Sequence, residues 1–367
     1  MRLEWLEPGN EAGLREWDDF QSRSVRGHYC QLSTWLGSFE PYGFRFAVLV
    51  ARREASGTVL GGIGVLRLGR GSFGVMRAPV GPIVEVGAEH LVQPILEALL
   101  ERAERTGVFL LQLQFPCSQE VHLDALLPSV PLPDRVPHYP GRRFPAAGAP
   151  NQILWIGFEN GRNGTAGRDD LLARFTPGAR RHIRRAEQQG LYAHEVTQES
   201  DLREAYRLIE ENGRQQGYST RAWSDFGPVM LRQVQLGQGV MLVAQHRGRP
   251  VAAHYAILAG RRYCFLMGGT RRDDPKLNAG HFLHWSAILR AKELGLLGYD
   301  FTSGGPPGVL QFKMGFRPQV ISFISPEYYV LSRWRSAAFF AVTPWLRKHK
   351  QLVSRVLGAT TRWLPKR

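Results

Sequence analysis

The chain has 367 residues, 43% of them hydrophobic and 22% charged, which excludes wholesale disorder and, at about 100–200 residues per domain, predicts two domains. Lys and Arg number 47 against 32 Asp and Glu, a net charge of +15 that favours an anionic partner (nucleic acid, a membrane surface or a phosphorylated substrate) without deciding the fold. No run approaches the roughly 18 apolar residues of a membrane span, no signal-peptide pattern follows Met1, and Cys30, Cys117 and Cys264 lie too far apart for a disulfide framework or a zinc module, so a cytoplasmic location is expected.

Residues 46–66 (FAVLVARREASGTVLGGIGVL) read as two apolar strands around a basic, Gly-containing turn. The GGIG at 61–64 falls inside the second strand, so it is no dinucleotide fingerprint. Residues 95–113 carry apolar side chains at helical spacing, stop at Gly107 and re-enter a strand. Cys117, just after Pro116, reads as an inert thiol. Residues 127–151 are rich in Pro and Gly and read as a linker or long surface loop, and 159–167 as a flexible loop.

Residues 174–190 (RFTPGARRHIRRAEQQG) are predicted to be a helix that starts near Pro177 and ends at Gly190. Arg180 with Arg184 and Arg181 with Arg185 stand four apart, an arrangement that costs helix stability in isolation and that a phosphate-bearing partner would offset. An amphipathic helix follows with Leu202, Ala205, Tyr206 and Ile209 on one face, and Arg214 and Tyr218 share a face if the helix continues. Residues 239–258 repeat the hairpin of 46–66, and 285–301 repeat the helix, Gly and strand of 95–113. Both echoes lie at similar offsets along the chain, so one supersecondary unit is read as occurring twice.

Between the second hairpin and its helix, 270–281 (TRRDDPKLNAGH) offers basic residues and Asn278 as a helix cap. Asp273 and Asp274 read as a solvated turn, and the HxxH of His281 and His284 as ordinary helix histidines, since no further ligand has zinc spacing. Residues 300–316 run from a strand through a Gly/Pro loop to Phe312, Lys313 and Gly315. A lysine held there can stabilise an oxyanion or a phosphate, and its aromatic neighbour can stack on a base. From 328 to the C-terminus there are nine Lys or Arg and no acid, interleaved with Trp and Phe, which over 344–367 suits a helix lying on anionic lipid.

In order and spacing, 78–82 (APVGP), 180–190, Arg214 with Tyr218, 263–270 (YCFLMGGT), 278–295 and 311–316 (QFKMGF) resemble the FemABX family of aminoacyl-tRNA-dependent transferases. The resemblance implies an α+β fold of two tandem GNAT-like acyltransferase domains with central mixed sheets, here followed by a basic C-terminal helical tail. The first domain would span 1–150 and be completed by about 318–343, the second 151–317, and the tail 344–367. It implies transfer of an aminoacyl group from aminoacyl-tRNA to an amine of an anionic cell-envelope precursor, with no bound cofactor. Lys313 and Phe312 would serve the acyl ester, Arg214, Tyr218 and Tyr255 the substrate, and Arg180, Arg181, Arg184 and Arg185 the tRNA phosphates. Such chemistry rests on positioning and charge stabilisation, because the ester is already activated. Two positions depart from the family pattern. Leu36, Gly37 and Ser38 follow Trp35 without the precursor-contacting lysine, and Gln114 and Phe115 precede Pro116 without the aspartate. They open the acceptor to other amines, such as an amino sugar of a lipid-linked or extracellular polysaccharide. Acyl-CoA is the alternative donor, bound at 270–281, and a non-catalytic RNA- or membrane-binding protein on the same scaffold is the reading from another class.

Overall fold

A computed structural model describes residues 1–70, 73–115, 152–159, 166–271, 275–302, 307–322 and 327–348. The linker at 127–151, Cys117, Asp273 with Asp274, most of the 159–167 loop and tail residues 349–367 lie outside them. The chain divides into two compact units, Met1–Ala149 with Phe323–Arg367, and Pro150–Ser322.

In the first unit β1 (Arg2–Leu6), α1 (Glu11–Arg23) and α2 (Ser33–Gly37) precede β2 (Arg45–Arg52) and β3 (Val59–Arg70), the predicted hairpin. β4 (Phe73–Ala78), β5 (Ile83–Val84), α3 (Val92–Arg105) and β6 (Val108–Leu113) follow. The apolar run of β2 is buried on both sides, and its alternation assigns the sides. Val48 and Val50 pack with Trp17, Phe20 and Leu36, whereas Ala47, Leu49 and Ala51 pack with Ile95, Leu96 and Leu99 of α3. The glycines of β3 are a packing device: a Cβ on Gly62 would stand 2.2 Å from the Leu49 carbonyl oxygen and 2.8 Å from the Trp17 ring.

The second unit holds β7 (Gln152–Gly157), α4 (Arg168–Arg174), α5 (Pro177–Gln188), β8 (Tyr192–Glu195), α6 (Glu199–Gln216) and α7 (Trp223–Gln235). Then come β9 (Gly239–His246), β10 (Arg249–Ala259), β11 (Arg262–Thr270), α8 (Ala279–Glu293), β12 (Gly298–Asp300), α9 (Pro307–Met314) and β13 (Gln319–Ser322). The sheet order is β13-β7-β12-β11-β10-β9-β8. Arg247 and Gly248, both at positive φ, make the tight turn of the β9–β10 hairpin. β14 (Glu327–Val330) then pairs antiparallel with β6, and α10 (Arg333–Lys348) follows it within the first unit. Its Phe340 packs with Val75, Phe109 and Leu110. Pro344, where the sequence reading begins the tail, lies inside α10.

The two sheets share one plan. An antiparallel hairpin (β2–β3, β9–β10) is extended by an antiparallel strand (β4, β11), a helix crosses over (α3, α8), and the next strand (β6, β12) returns parallel. The internal repeat read from the sequence is therefore a repeat of topology, in an α+β fold with two mixed sheets.

Candidate active site

The parallel pair β11–β12 is hydrogen-bonded only from Arg262/Gly298 to Cys264/Asp300, yet β11 runs on to Thr270. Past Asp300 the two strands no longer pair, and the side chains gathered at this point form the polar centre of the second unit. Lys313, from α9, is 4% exposed. Its Nζ donates to the carbonyl oxygens of Phe301 (2.9 Å) and Thr302 (3.4 Å) and lies 5.7 Å from the centre of the Phe265 ring. Burial lowers its pKa to about 8, against the opposing pull of Asp300. Asp300 is fully buried, accepts the Thr302 amide at 2.6 Å through Oδ1, feels the Leu154 amide as well, and has no partner of ordinary hydrogen-bond geometry at Oδ2 among the described residues. Burial pushes its carboxyl up to about 6, partly offset by Arg262 and Lys313. Thr302 adopts φ +54°, a left-handed conformation that a β-branched residue resists, so the turn after β12 is strained where it meets the lysine.

Phe312 is half-buried and lies on the histidines of α8, with ring centres 4.6 Å from His281 and 5.4 Å from His284. The two histidines of HxxH thus have different surroundings. His281 faces His182 of α5 (3.4 Å, Nε2 to Nδ1), and burial with the His182 charge lowers its pKa to about 4. His284 bonds through Nδ1 to the Tyr299 hydroxyl at 2.7 Å, and the same hydroxyl bonds His254 Nε2 at 2.8 Å. Tyr299, His254, His284 and Asp300 were not singled out from the sequence as site residues. They are scattered over β10, α8 and β12, and only the sheet register brings them together.

The arginines are presented by α5. Thr176 caps this helix, and both its amide and its hydroxyl donate to the Gly315 carbonyl at 3.0 Å, which ties the start of α5 to the end of α9. Arg181, Arg184 and Arg185 are exposed. Arg180 is half-buried and braces the Ala173 carbonyl at 3.1 Å. Among the described residues no carboxylate lies within ion-pair distance of these four, and the acid of α5, Glu187, pairs with Arg168 instead. One open groove of about 560 Å³ is lined by Pro177, the four arginines and Gln188. A second, of about 480 Å³, runs between α5 and the start of α8, lined by Arg181, His182, Arg185, Pro275, Lys276 and Asn278. The contacts from His182 through His281 to Phe312 connect this groove to the aromatic wall beside Lys313.

Three expectations are corrected. Asn278 does not cap α8: it stands at the cap position with φ +54°, its side chain donating to the Lys276 carbonyl, and the first-turn amides have no side-chain cap. Arg214 and Tyr218 do not share a helical face, because Gly217 turns left-handed and ends α6 between them. Both are exposed, and the Tyr218 hydroxyl accepts from Asn212 at 3.0 Å. Tyr255 is fully buried against Phe226, with its hydroxyl donating to Gln233 at 2.6 Å, and burial raises its pKa far out of range. It is a core residue and offers no surface to a substrate. Tyr255→Phe should leave the KM of any transfer reaction unchanged while lowering folded stability by about 0.5–1.5 kcal/mol, the net worth of the hydrogen bond lost to Gln233, as urea unfolding would read.

Residues 174–314 match the family of GNAT acetyltransferase domains. No curated protein sequence matches the chain. Among solved structures, FemX superposes with a TM-score of 0.73 at 14% identity, over 90% of this chain and 98% of that one. L-PGS from Bacillus licheniformis aligns with a TM-score of 0.52 at 13% identity, over 96% of this chain and 98% of that one. The C-terminal domain of a putative lysylphosphatidylglycerol synthetase from Agrobacterium fabrum gives 0.52 at 12%, over 92% and 97%. By fold the chain is FemABX-like, two GNAT-like domains in tandem, with a GNAT acyltransferase-type domain at residues 174–314.

Proposed function

We propose that the chain is an N-acyltransferase that moves an aminoacyl group from aminoacyl-tRNA to an amine of a cell-envelope precursor. The observation that carries this reading is the face of α5, whose arginines have no carboxylate in ion-pair range among the described residues and whose first turn is bonded to the helix bearing Phe312 and Lys313. A like-charged helix face with no carboxylate partner among the described residues is costly and suits a polyanion. The likeness to FemX agrees with it, and one further neighbour bears a name that joins a lysyl group to an anionic phospholipid. Lys313 would support the developing oxyanion on the ester carbonyl, and Phe312 would pack on the donor's terminal base.

A second reading, acyl-CoA as donor, is favoured by one observation. The uncapped first turn of α8 borders a groove containing Arg181, Arg185 and Lys276, which suits a pyrophosphate. Charged tRNA and acetyl-CoA titrated separately against the purified protein, with salt varied, distinguish the donors. Saturable binding of charged tRNA with a steep salt slope supports the first reading, and tight acetyl-CoA binding with no RNA affinity replaces it with the second.

The anionic membrane surface is the third partner proposed. Because α10 is described to Lys348, the deletion that tests it removes residues 349–367 and keeps all of the described helix. This truncation should abolish sedimentation with phosphatidylglycerol vesicles at low salt and leave the thermal unfolding midpoint unchanged. Equal sedimentation of the two proteins refutes the membrane role.

A further inference from the structure

Three side chains in the second unit are joined end to end. The Tyr299 hydroxyl lies between His284 Nδ1 (2.7 Å) and His254 Nε2 (2.8 Å), linking α8, β12 and β10. A phenol has one proton, so it donates to one imidazole and accepts the N–H of the other. The chain therefore has a direction. When His284 Nδ1–H donates to Tyr299 and Tyr299 donates to His254, the remaining His284 nitrogen, Nε2, carries a lone pair. In the reversed arrangement Nε2 carries a proton.

His284 is the outer end of this chain. It retains 9% exposure, whereas His254 has 1% and Tyr299 none. Its ring stands 4.7 Å from that of Phe265, which lies 5.7 Å from Lys313 Nζ, and 5.0 Å from Phe301 and 5.4 Å from Phe312. At the inner end, His254 Nδ1 is buried with no hydrogen-bond partner among the described residues beyond a local contact with its own backbone. Burying three polar side chains costs desolvation that apolar packing would avoid, so the polar chain calls for an explanation beyond packing. The charged and titratable groups around His284 are Lys313 from α9, His281 on its own helix, His254 from β10, Tyr263 from β11, and Tyr299 and Asp300 from β12. Burial, then His254, Lys313 and His281, hold His284 well below the usual histidine range, and burial takes His254 to about 3. Both rings are neutral near pH 7, the form that can accept a proton.

The geometry points to His284 as the catalytic base of the transfer, with Tyr299 and His254 as positioning residues that hold its Nε2 in the accepting tautomer; this rests on the acyl-transfer reading. The amine lone pair forms the new N–C bond, the carbonyl π pair moves onto oxygen, and an amine proton passes to His284 Nε2. On collapse the C=O bond re-forms, the C–O bond to the tRNA ribose breaks, and Nε2 returns the proton to the departing ribose oxygen. An amide and a free ribose hydroxyl result, and the imidazole is regenerated. With acyl-CoA the same proton goes to the thiolate. The tetrahedral oxyanion supplies the negative charge that makes a protonated His284 tolerable in this buried setting.

The test uses the full chain, bulk tRNA charged with labelled amino acids and, separately, acetyl-CoA as donors, and glycinamide or hydroxylamine as acceptor. Hydroxylamine attacks unprotonated at neutral pH and depends less on a base. His284→Gln should lose about 100-fold or more in kcat with glycinamide at little change in KM, and retain most of its rate with hydroxylamine. Tyr299→Phe should keep the fold, lower kcat less, and shift the pH profile. Nitrogen-15 histidine spectra should show His284 protonated at Nδ1 in the wild type and a mixture of tautomers in Tyr299→Phe. Undiminished kcat in His284→Gln, equal losses with both acceptors, or a His284 protonated at Nε2 would overturn the step alone. A wild type that transfers from neither donor overturns the acyl-transfer reading and the step with it.

Discussion

Lys313→Met is expected to lower acyl-transfer turnover by about 100-fold or more, the scale for losing one charge contact to an oxyanion. The lysine lies where β11 and β12 stop pairing, between Asp300 and the Phe265 ring, in surroundings that amplify a charge. Its burial gives the same side chain a share in the fold. The Phe301 and Thr302 carbonyls would lose a donor, at a stability cost of about 1–3 kcal/mol. Turnover should therefore be measured well below the unfolding midpoint of the variant, and Lys313→Arg compared with it. The pH dependence carries a sign. With a pKa of about 8 the lysine is charged below that pH and neutral above it, so turnover that depends on its charge falls as pH rises through about 8. Lys313→Arg, if it folds, moves the fall to higher pH. Unchanged turnover of Lys313→Met with either donor removes the lysine from the chemistry and leaves it as the brace of the β12–α9 turn.

What the sequence could show follows from which interactions are local. The hairpins at 46–66 and 239–258, the helices after them and the Thr176–Pro177 start of α5 are set by neighbours a few residues apart, so periodicity and turn chemistry reveal them. The site depends on register. His254 and Tyr255 are adjacent on β10 and point to opposite faces, His254 toward His284 of α8 and Tyr255 toward Phe226 of α7. The family resemblance points to Tyr255, and the pleat turns that side chain into the core against Phe226. No local pattern says which face α8 will cover. The Phe312–Lys313 pair was legible because its two members are contiguous. The contact of Lys313 with the carbonyls that follow Asp300 was not, because it forms only once α9 docks against the end of β12.

Replacing Arg181, Arg184 and Arg185 together by Gln is expected to reduce the dependence of tRNA binding on salt by about 2 to 3 units in the log–log slope, since each phosphate contact contributes roughly 0.7 to 0.9. Arg180 is left in place because it braces the Ala173 carbonyl, and changing it would mix a structural effect with an electrostatic one. The three chosen side chains are exposed and, among the described residues, without a carboxylate partner, so their removal costs the fold little. It should even relieve repulsion between Arg181 and Arg185, four apart on one helix. An unchanged or raised unfolding midpoint alongside a flattened salt slope would mean that the arginines are kept for the polyanion and against the stability of α5. The same variant separates the donors. Arg181 and Arg185 also line the groove at the start of α8, so an acyl-CoA enzyme would lose CoA affinity with a shallow slope, as few phosphates are engaged. A full RNA salt slope in the triple variant would make α5 a solvated face and take from the tRNA reading its electrostatic support.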